Sequence, residues 1–222
     1  WFIYDGKRWV IDTKGVTVLN LVTDRHRVES VASFKKALVE PDKKLKESFN
    51  QRAKRLGSLS SIQAVVTLAR ADRRIVIRHE LLDVDNWLFN TQNGIVNLRN
   101  GQLQLHDPTQ LITKIASVEF DSEAECPTWH KFLDRILPDT EVQDFVQRFI
   151  GSCLTGEQRD QILILLIGSG ANGKSVFVEV IRELLNDYAA IIEPSDLVVT
   201  RNEPHPTSRL KLRGARFATC NE

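Results

Sequence analysis

Eight consecutive residues stand out for their chemistry: Gly168-Ser169-Gly170-Ala171-Asn172-Gly173-Lys174-Ser175 fit the pattern G-x-x-x-x-G-K-[S/T]. Glycines let backbone N–H groups converge on phosphate oxygens with no Cβ in the way, and a helix N-terminus adds partial positive charge. In this reading Gly168 and Gly173 supply the turns. Lys174 reaches the β- and γ-phosphates as a point charge, and Ser175 offers its hydroxyl to Mg²⁺. ATP and Mg²⁺ are the cofactors expected. The competing reading is a glycine-rich turn with an exposed lysine, and the flanks argue against it. Residues 162–167 read as a buried strand entering the loop, and Phe177, Val180, Ile181 and Leu184 recur at helical spacing after it.

Such an ATPase also needs an acidic residue at the end of a neighbouring strand to hold Mg²⁺ and its waters. Ala215, Phe217 and Ala218 form an apolar-leaning stretch after Leu212-Arg213-Gly214, and Glu222 ends it at about the expected distance from the loop. Other chemistries find little support. Cys126 with His130 is one isolated pair lacking a second, and no nucleophile-elbow string occurs. Three cysteines without framework spacing suit a reducing compartment.

The elements that must position these residues are read from a chain of 222 residues, 42% hydrophobic and 27% charged, long enough for two domains. Its formal net charge of +1 is unevenly spread, since residues 25–78 hold 14 basic and 5 acidic side chains, a local +9. That stretch could track a nucleic-acid backbone, with Arg70, Arg73 and Arg74 the first candidates; a solvated helix face is the competing reading. Trp87 and Phe89 lie among apolar neighbours that favour core packing over base stacking. The longest apolar run is too short to cross a bilayer, so no membrane partner is expected and a cytoplasmic location is. A start at Trp1 and the absence of methionine read as a fragment of a longer protein.

Along the chain, residues 1–21 suggest a hairpin or short meander around Asp5-Gly6 and Lys14-Gly15. Val31, Phe34 and Leu38 then recur at helical spacing, as do Leu59, Ile62, Val65, Val66 and Ala69 after a Ser58 cap. Residues 75–120 read as strands, with turns at Asn93-Gly94 and Asn100-Gly101. Beyond a polar linker, Trp129, Phe132, Leu133, Ile136 and Leu137, then Val142, Phe145, Val146, Phe149 and Ile150, predict a helical hairpin. The expected fold class is α/β: an α+β collar over 1–125, the hairpin over 126–158, and a truncated P-loop core with a parallel sheet over 159–222.

The chain resembles the phage and plasmid primase-helicases with the poxvirus-type arrangement, whose motor belongs to helicase superfamily 3. The likeness rests on Leu88-Phe89-Asn90-Thr91-Gln92-Asn93-Gly94-Ile95-Val96-Asn97-Leu98, His106-Asp107-Pro108, Cys126-Pro127-Thr128-Trp129 with Phe132-Leu133, and Gly151 with Leu154-Thr155-Gly156. Gly170-Ala171-Asn172-Gly173-Lys174-Ser175 is the family's form of the phosphate loop, and Leu212-Arg213-Gly214-Ala215-Arg216 leading to Asn221-Glu222 looks like its second acidic motif. Asn221 departs from the alcohol or small residue usual there. The resemblance implies an AAA+-like motor in a hexameric homo-oligomer that translocates on single-stranded DNA by ATP hydrolysis, often with a primase module upstream. It gives Lys174 and Ser175 phosphate and Mg²⁺ roles, and Glu222 the Mg²⁺ and water-activating role. It also places the strands flanking the nucleotide strand, and the arginine finger, beyond Glu222, so poor hydrolysis is expected of this chain alone. The reading from a different class is a P-loop small-molecule phosphotransferase, which would need an acceptor site and no large basic collar.

Overall fold

The computed structural model describes residues 1–157, 162–197 and 212–220. They fall into two compact units, Trp1–Asp5 with Val10–Leu81, and Gly6–Trp9 with Leu82–Glu222.

The first unit is built on three helices, α1 (Val16–Val39), α2 (Lys43–Leu56) and α3 (Leu59–Ala69), after a hairpin of β1 (Phe2–Tyr4) and β2 (Trp9–Ile11). Each helix start is fixed by an oxygen that accepts from an otherwise orphaned amide. Asp12 accepts from Thr17 N (3.0 Å) and Val18 N (2.9 Å). Burial pushes the Asp12 carboxyl upward, but these amides together hold it below the usual carboxylate range. Asp42 caps α2 through Lys44 N and Leu45 N, and the Ser58 hydroxyl caps α3 through Ser61 N, as its position predicts.

The helical spacing in α1 does not mark its buried face. Val31, Phe34 and Leu38, whose spacing predicts this helix, are exposed, Leu38 to 78%, whereas Ala37 is only 2% exposed. The face of α1 turned to α2 carries Ser30, whose hydroxyl donates to Ala53 O (2.9 Å), and His26, whose ring meets Leu56 O (3.0 Å). Small residues there (Ser33, Ala37, Ala53) are all buried, which suits close backbone approach better than large apolar ones would. Helix α2 carries a narrow apolar stripe, Leu45, Phe49, Ala53 and Leu56, among charged residues, and its caps delimit it. Residues 16–21, read as part of a meander, are the first turns of α1.

In the second unit β3 (Leu88–Thr91), β4 (Gly94–Asn97) and β5 (Gln102–Gln104) form an antiparallel meander with Thr91 opposite Gly94 and Val96 opposite Leu103. Both turn signals are where the sequence puts them. Residues 75–87 form turns and a short 3-10 segment rather than the expected strands. The helical hairpin is present as α4 (Pro127–Ile136) and α5 (Thr140–Cys153). After the loop come α6 (Lys174–Leu185), β6 (Ala189–Ile192) and β7 (Phe217–Cys220), the last two paired parallel. The main core gathers Phe89, Val96, Ala116, Phe177, Ile181, Leu185, Tyr188 and Phe217. Trp129, Phe132, Leu133, Ile136, Val146, Phe149 and Ile150 of the hairpin pack against it. Trp129 stacks on Phe177 with ring centroids 5.7 Å apart.

The expected parallel sheet is reduced, among the described residues, to the β6–β7 pair. Residues 162–167, expected as a buried strand, carry no strand pairing, and Ile167 is 89% exposed. Apolar side chains alone do not make a strand. Its amides and carbonyls need a neighbouring strand to complete the ladder, and none of the described strands lies along this segment.

Residues 114–118 bind β3 to the end of α6. Ala116 N donates to Asn90 O (2.8 Å) and Gln92 N to Val118 O (2.9 Å) on one side. On the other, Ser117 N donates to Leu184 O (3.1 Å) and Ile115 N to the Asp187 carboxylate (3.0 Å). Arg216, entering β7, lies over the Tyr188 ring at 4.5 Å and donates to Leu88 O (2.9 Å) and to Leu154 O. Burial lowers the Arg216 pKa and raises that of Tyr188.

Two outcomes are expected in urea unfolding. Arg216→Ala, which leaves two partly buried carbonyls unserved, costs about 2–4 kcal/mol, and Arg216→Lys recovers less than half of it. Ala37→Leu, overpacking the α1–α2 contact, costs about 1–3 kcal/mol, while Leu38→Ala stays within about 0.5 kcal/mol. A reversed order would refute the assignment of the buried face.

Candidate nucleotide-binding site

Two residues bend the loop. Ala171 has φ +61° and Gly173 φ +81°, both left-handed, and for alanine this costs roughly 1–2 kcal/mol. Strain of this kind is retained where surrounding structure enforces it, commonly at a ligand site. Gly173 is the N-cap of α6, and no side chain caps the helix. The first turn closes through Phe177 N to Gly173 O (2.9 Å), so the amides ahead of it keep the partial positive charge of an uncapped N-terminus.

Gly173 is also fixed by packing. A Cβ there would lie 2.7 Å from Ile136 Cγ2 and 3.2 Å from Phe132 Cε2, which shows how closely α4 approaches the loop. A Cβ on Gly168 would collide with the Asn172 carboxamide, so that glycine makes room for a side chain of the loop itself. Lys174 Nζ donates to Gly168 O (2.9 Å) and to Asn172 Oδ1 (2.8 Å), folding across the loop onto neutral acceptors. Gly170, Ala171, Asn172, Gly173, Lys174 and Ser175 line a cleft of about 570 Å³ whose opposite wall is Phe132, Arg135 and Ile136 of α4. Among the described residues the lining contains two cations and no carboxylate. A concave volume of this order, an uncapped helix start, a lysine and a hydroxyl suit a polyphosphate with its counter-ion.

Of the residues singled out from sequence, Gly168 joins this group through Lys174, and Ser169 lies in the loop beside it. Glu222 and Asn221 fall outside the described residues. The strand leading to them, β7, runs beside β6, the strand that follows α6. Arg70, Arg73 and Arg74 belong to the first unit. Arg70 lies over the Trp1 ring at 5.9 Å, and Arg74 pairs with Asp72 at 2.6 Å, a hydrogen bond that raises the arginine pKa and lowers that of the carboxyl. Arg73 is exposed. Phe89 is buried in the core, and Trp87 is half-buried beneath Arg99. Cys126 and His130 meet at 3.4 Å, and no group of three metal-ligating side chains occurs among the described residues. No described helix is long and apolar enough to cross a membrane.

The α4 wall was not legible as part of the site. The periodicity marks Phe132 and Ile136 as apolar-face residues only, and nothing in the sequence connects Arg135 to a loop more than thirty residues away.

Comparison with known proteins places the chain. The family described as D5 N terminal like matches residues 1–138, more than half of its length. The chain belongs to that family. The D5-like chain is also similar, at 25% identity over 217 residues, to a protein of Acanthamoeba polyphaga mimivirus named as a helicase, L207/L206, covering 89% of this chain and 22% of that protein. A match over so much of the D5-like chain spans the glycine-rich loop. A second relative, 121R of Invertebrate iridescent virus 3, also named as a helicase, is 25% identical over 142 residues, covering 61% of this chain and 15% of that protein. The D5-like chain thus spans about a fifth or less of the length of these relatives, which support membership of a D5-like primase-helicase family.

Gly173→Ala is expected to cost about 2 kcal/mol or more in urea unfolding, from left-handed strain and the Ile136 contact. Gly170→Ala, with open space around its Cβ position, is expected to change stability by no more than about 0.5 kcal/mol. Equal effects would remove the argument that α4 fixes the loop.

Proposed function

We propose that this chain carries the nucleotide-binding loop of an ATP-dependent replicative helicase of the primase-helicase type, working on single-stranded DNA. The observation that carries the reading is the uncapped start of α6 behind Gly173, with Lys174 and Ser175 in its first turn. It stands in a chain whose N-terminal part matches the D5 N-terminal-like family and whose viral relatives are named as helicases.

In this proposal Lys174 exchanges its two neutral acceptors, Gly168 O and Asn172 Oδ1, for the β- and γ-phosphate oxygens of ATP. The amides of the first turn hold the same phosphates, and Ser175 offers its hydroxyl to Mg²⁺. Glu222 would hold Mg²⁺ and orient the attacking water. When bound, ATP supplies the phosphoanhydride whose hydrolysis drives translocation. The basic surface of the first unit, Arg70, Arg73 and Arg74 included, would track the DNA backbone, and the working form would be a hexameric ring, with a primase module upstream as a further component.

The test is equilibrium binding of a fluorescent ATP analogue with Mg²⁺ to the 222-residue chain. Lys174→Ala is expected to weaken it by about 10- to 100-fold, the range for hydrogen bonds to a charged group. A labelled oligo(dT) is then titrated with and without a non-hydrolysable ATP analogue. A motor couples the two ligands, and the coupling is reciprocal, so a shift of about fivefold or more in DNA affinity is expected. Lys174-dependent ATP binding with no DNA coupling would replace the motor by a small-molecule phosphotransferase, and ATP binding indifferent to Lys174 would overturn both.

A further inference from the structure

We propose that Arg135 of α4 is a second cation of the phosphate site and reads the outermost phosphate of a nucleoside triphosphate; this rests on the nucleotide-binding reading of the loop. The cleft has two walls of different origin. One is the loop and the first turn of α6, which any phosphate loop supplies. The other is one face of α4, where Phe132 and Arg135, three residues apart, share a side of the helix with Ile136 beside them.

The two cations of the cleft are in different states. Lys174 is engaged with Gly168 O and Asn172 Oδ1. Arg135 is exposed and has no hydrogen-bond or ion-pair partner among the described residues, and its neighbour Asp134 accepts instead from Gln143 on α5 (3.1 Å). Surface arginines of this chain do find carboxylates when one is in reach: Arg25 pairs with Glu29, Arg74 with Asp72 and Arg182 with Glu179. With no carboxylate among the described residues that line it, the cleft leaves the guanidinium open to an external anion.

The mounting is rigid enough to matter. Trp129, Phe132 and Ile136 pack against the main core, and Phe132 and Ile136 bear on Gly173, so the backbone carrying Arg135 is registered to the loop from the opposite side. A planar guanidinium can take two oxygens of one phosphate, a geometry a lysine cannot reproduce. Because Lys174 and the loop amides divide their contacts between the β- and γ-phosphates, the cation on the far wall is the one left for the remaining oxygens of the terminal phosphate. Arg135 therefore discriminates triphosphate from diphosphate.

The experiment compares fluorescent ATP and ADP analogues, each with Mg²⁺, on the unmodified chain and on Arg135→Ala, Arg135→Lys and Lys174→Ala. Arg135→Ala is expected to weaken ATP binding about tenfold and ADP binding less than about threefold, with Arg135→Lys recovering part of the ATP loss. The thermal midpoint of nucleotide-free Arg135→Ala is expected to match the unmodified chain, since the side chain is exposed. Unchanged ATP affinity in Arg135→Ala, with Lys174→Ala still defective, would overturn the proposal and leave the nucleotide reading intact. Equal losses for ATP and ADP would overturn it as well, because the effect would not lie at the terminal phosphate. No Lys174-dependent binding by the unmodified chain would remove both readings together.

Discussion

Leu185 and Tyr188, at the end of α6, are almost wholly buried, and around them Leu184, Asp187 and Tyr188 engage Ser117, Ile115 and Arg216. The rest of the second unit depends on this grip. A helix start can present amides to a phosphate only if the helix does not move, and α6 is held at its far end by hydrogen bonds to residues 114–117, themselves tied to β3. At its near end Trp129 stacks on Phe177, and Phe132 and Ile136 close on Gly173. The β3–β5 meander is thus the anchor of the helix that follows the glycine-rich loop rather than a separate appendage.

The charges divide along the same lines. Arg216 and Lys114 are partly buried cations whose pKa values fall with desolvation, and both serve backbone carbonyls, so their role is to join segments. Lys174 is half-buried and Arg135 exposed at a cleft with no carboxylate among the described residues that line it, where a cation is available to a ligand. Burial and partner, more than residue type, separate a structural cation from a binding one. In the first unit, Arg74 is neutralised by Asp72 and Arg70 lies over Trp1, so part of that unit's positive charge is locally engaged.

How much was legible follows from the range of each interaction. Caps and turns are local: Ser58, Asn93-Gly94 and Asn100-Gly101 mark their elements because the signal and its hydrogen bonds lie within a few residues. The two helices of the hairpin were also readable, since α4 turns Trp129, Phe132, Leu133 and Ile136 and α5 turns Val146, Phe149 and Ile150 to one core, while Val142 and Phe145 of the same predicted stripe stay exposed. The α1 spacing did not give the buried face, because periodicity reports an apolar face without saying which face a neighbour covers, and close contact with α2 selected the face of Ser30, Ser33 and Ala37.

The sequence by itself determined the loop: its glycines, lysine and serine are contiguous, and their spacing follows from the geometry of one turn entering one helix. It also determined that a helix follows. Only the tertiary structure decided that α4 forms the opposite wall, that Arg135 shares the cleft with Lys174, and that Arg216 joins β7 to β3 and the end of α5. These are meetings of residues tens of positions apart. They arise because apolar faces are buried jointly, and composition does not say which faces will meet.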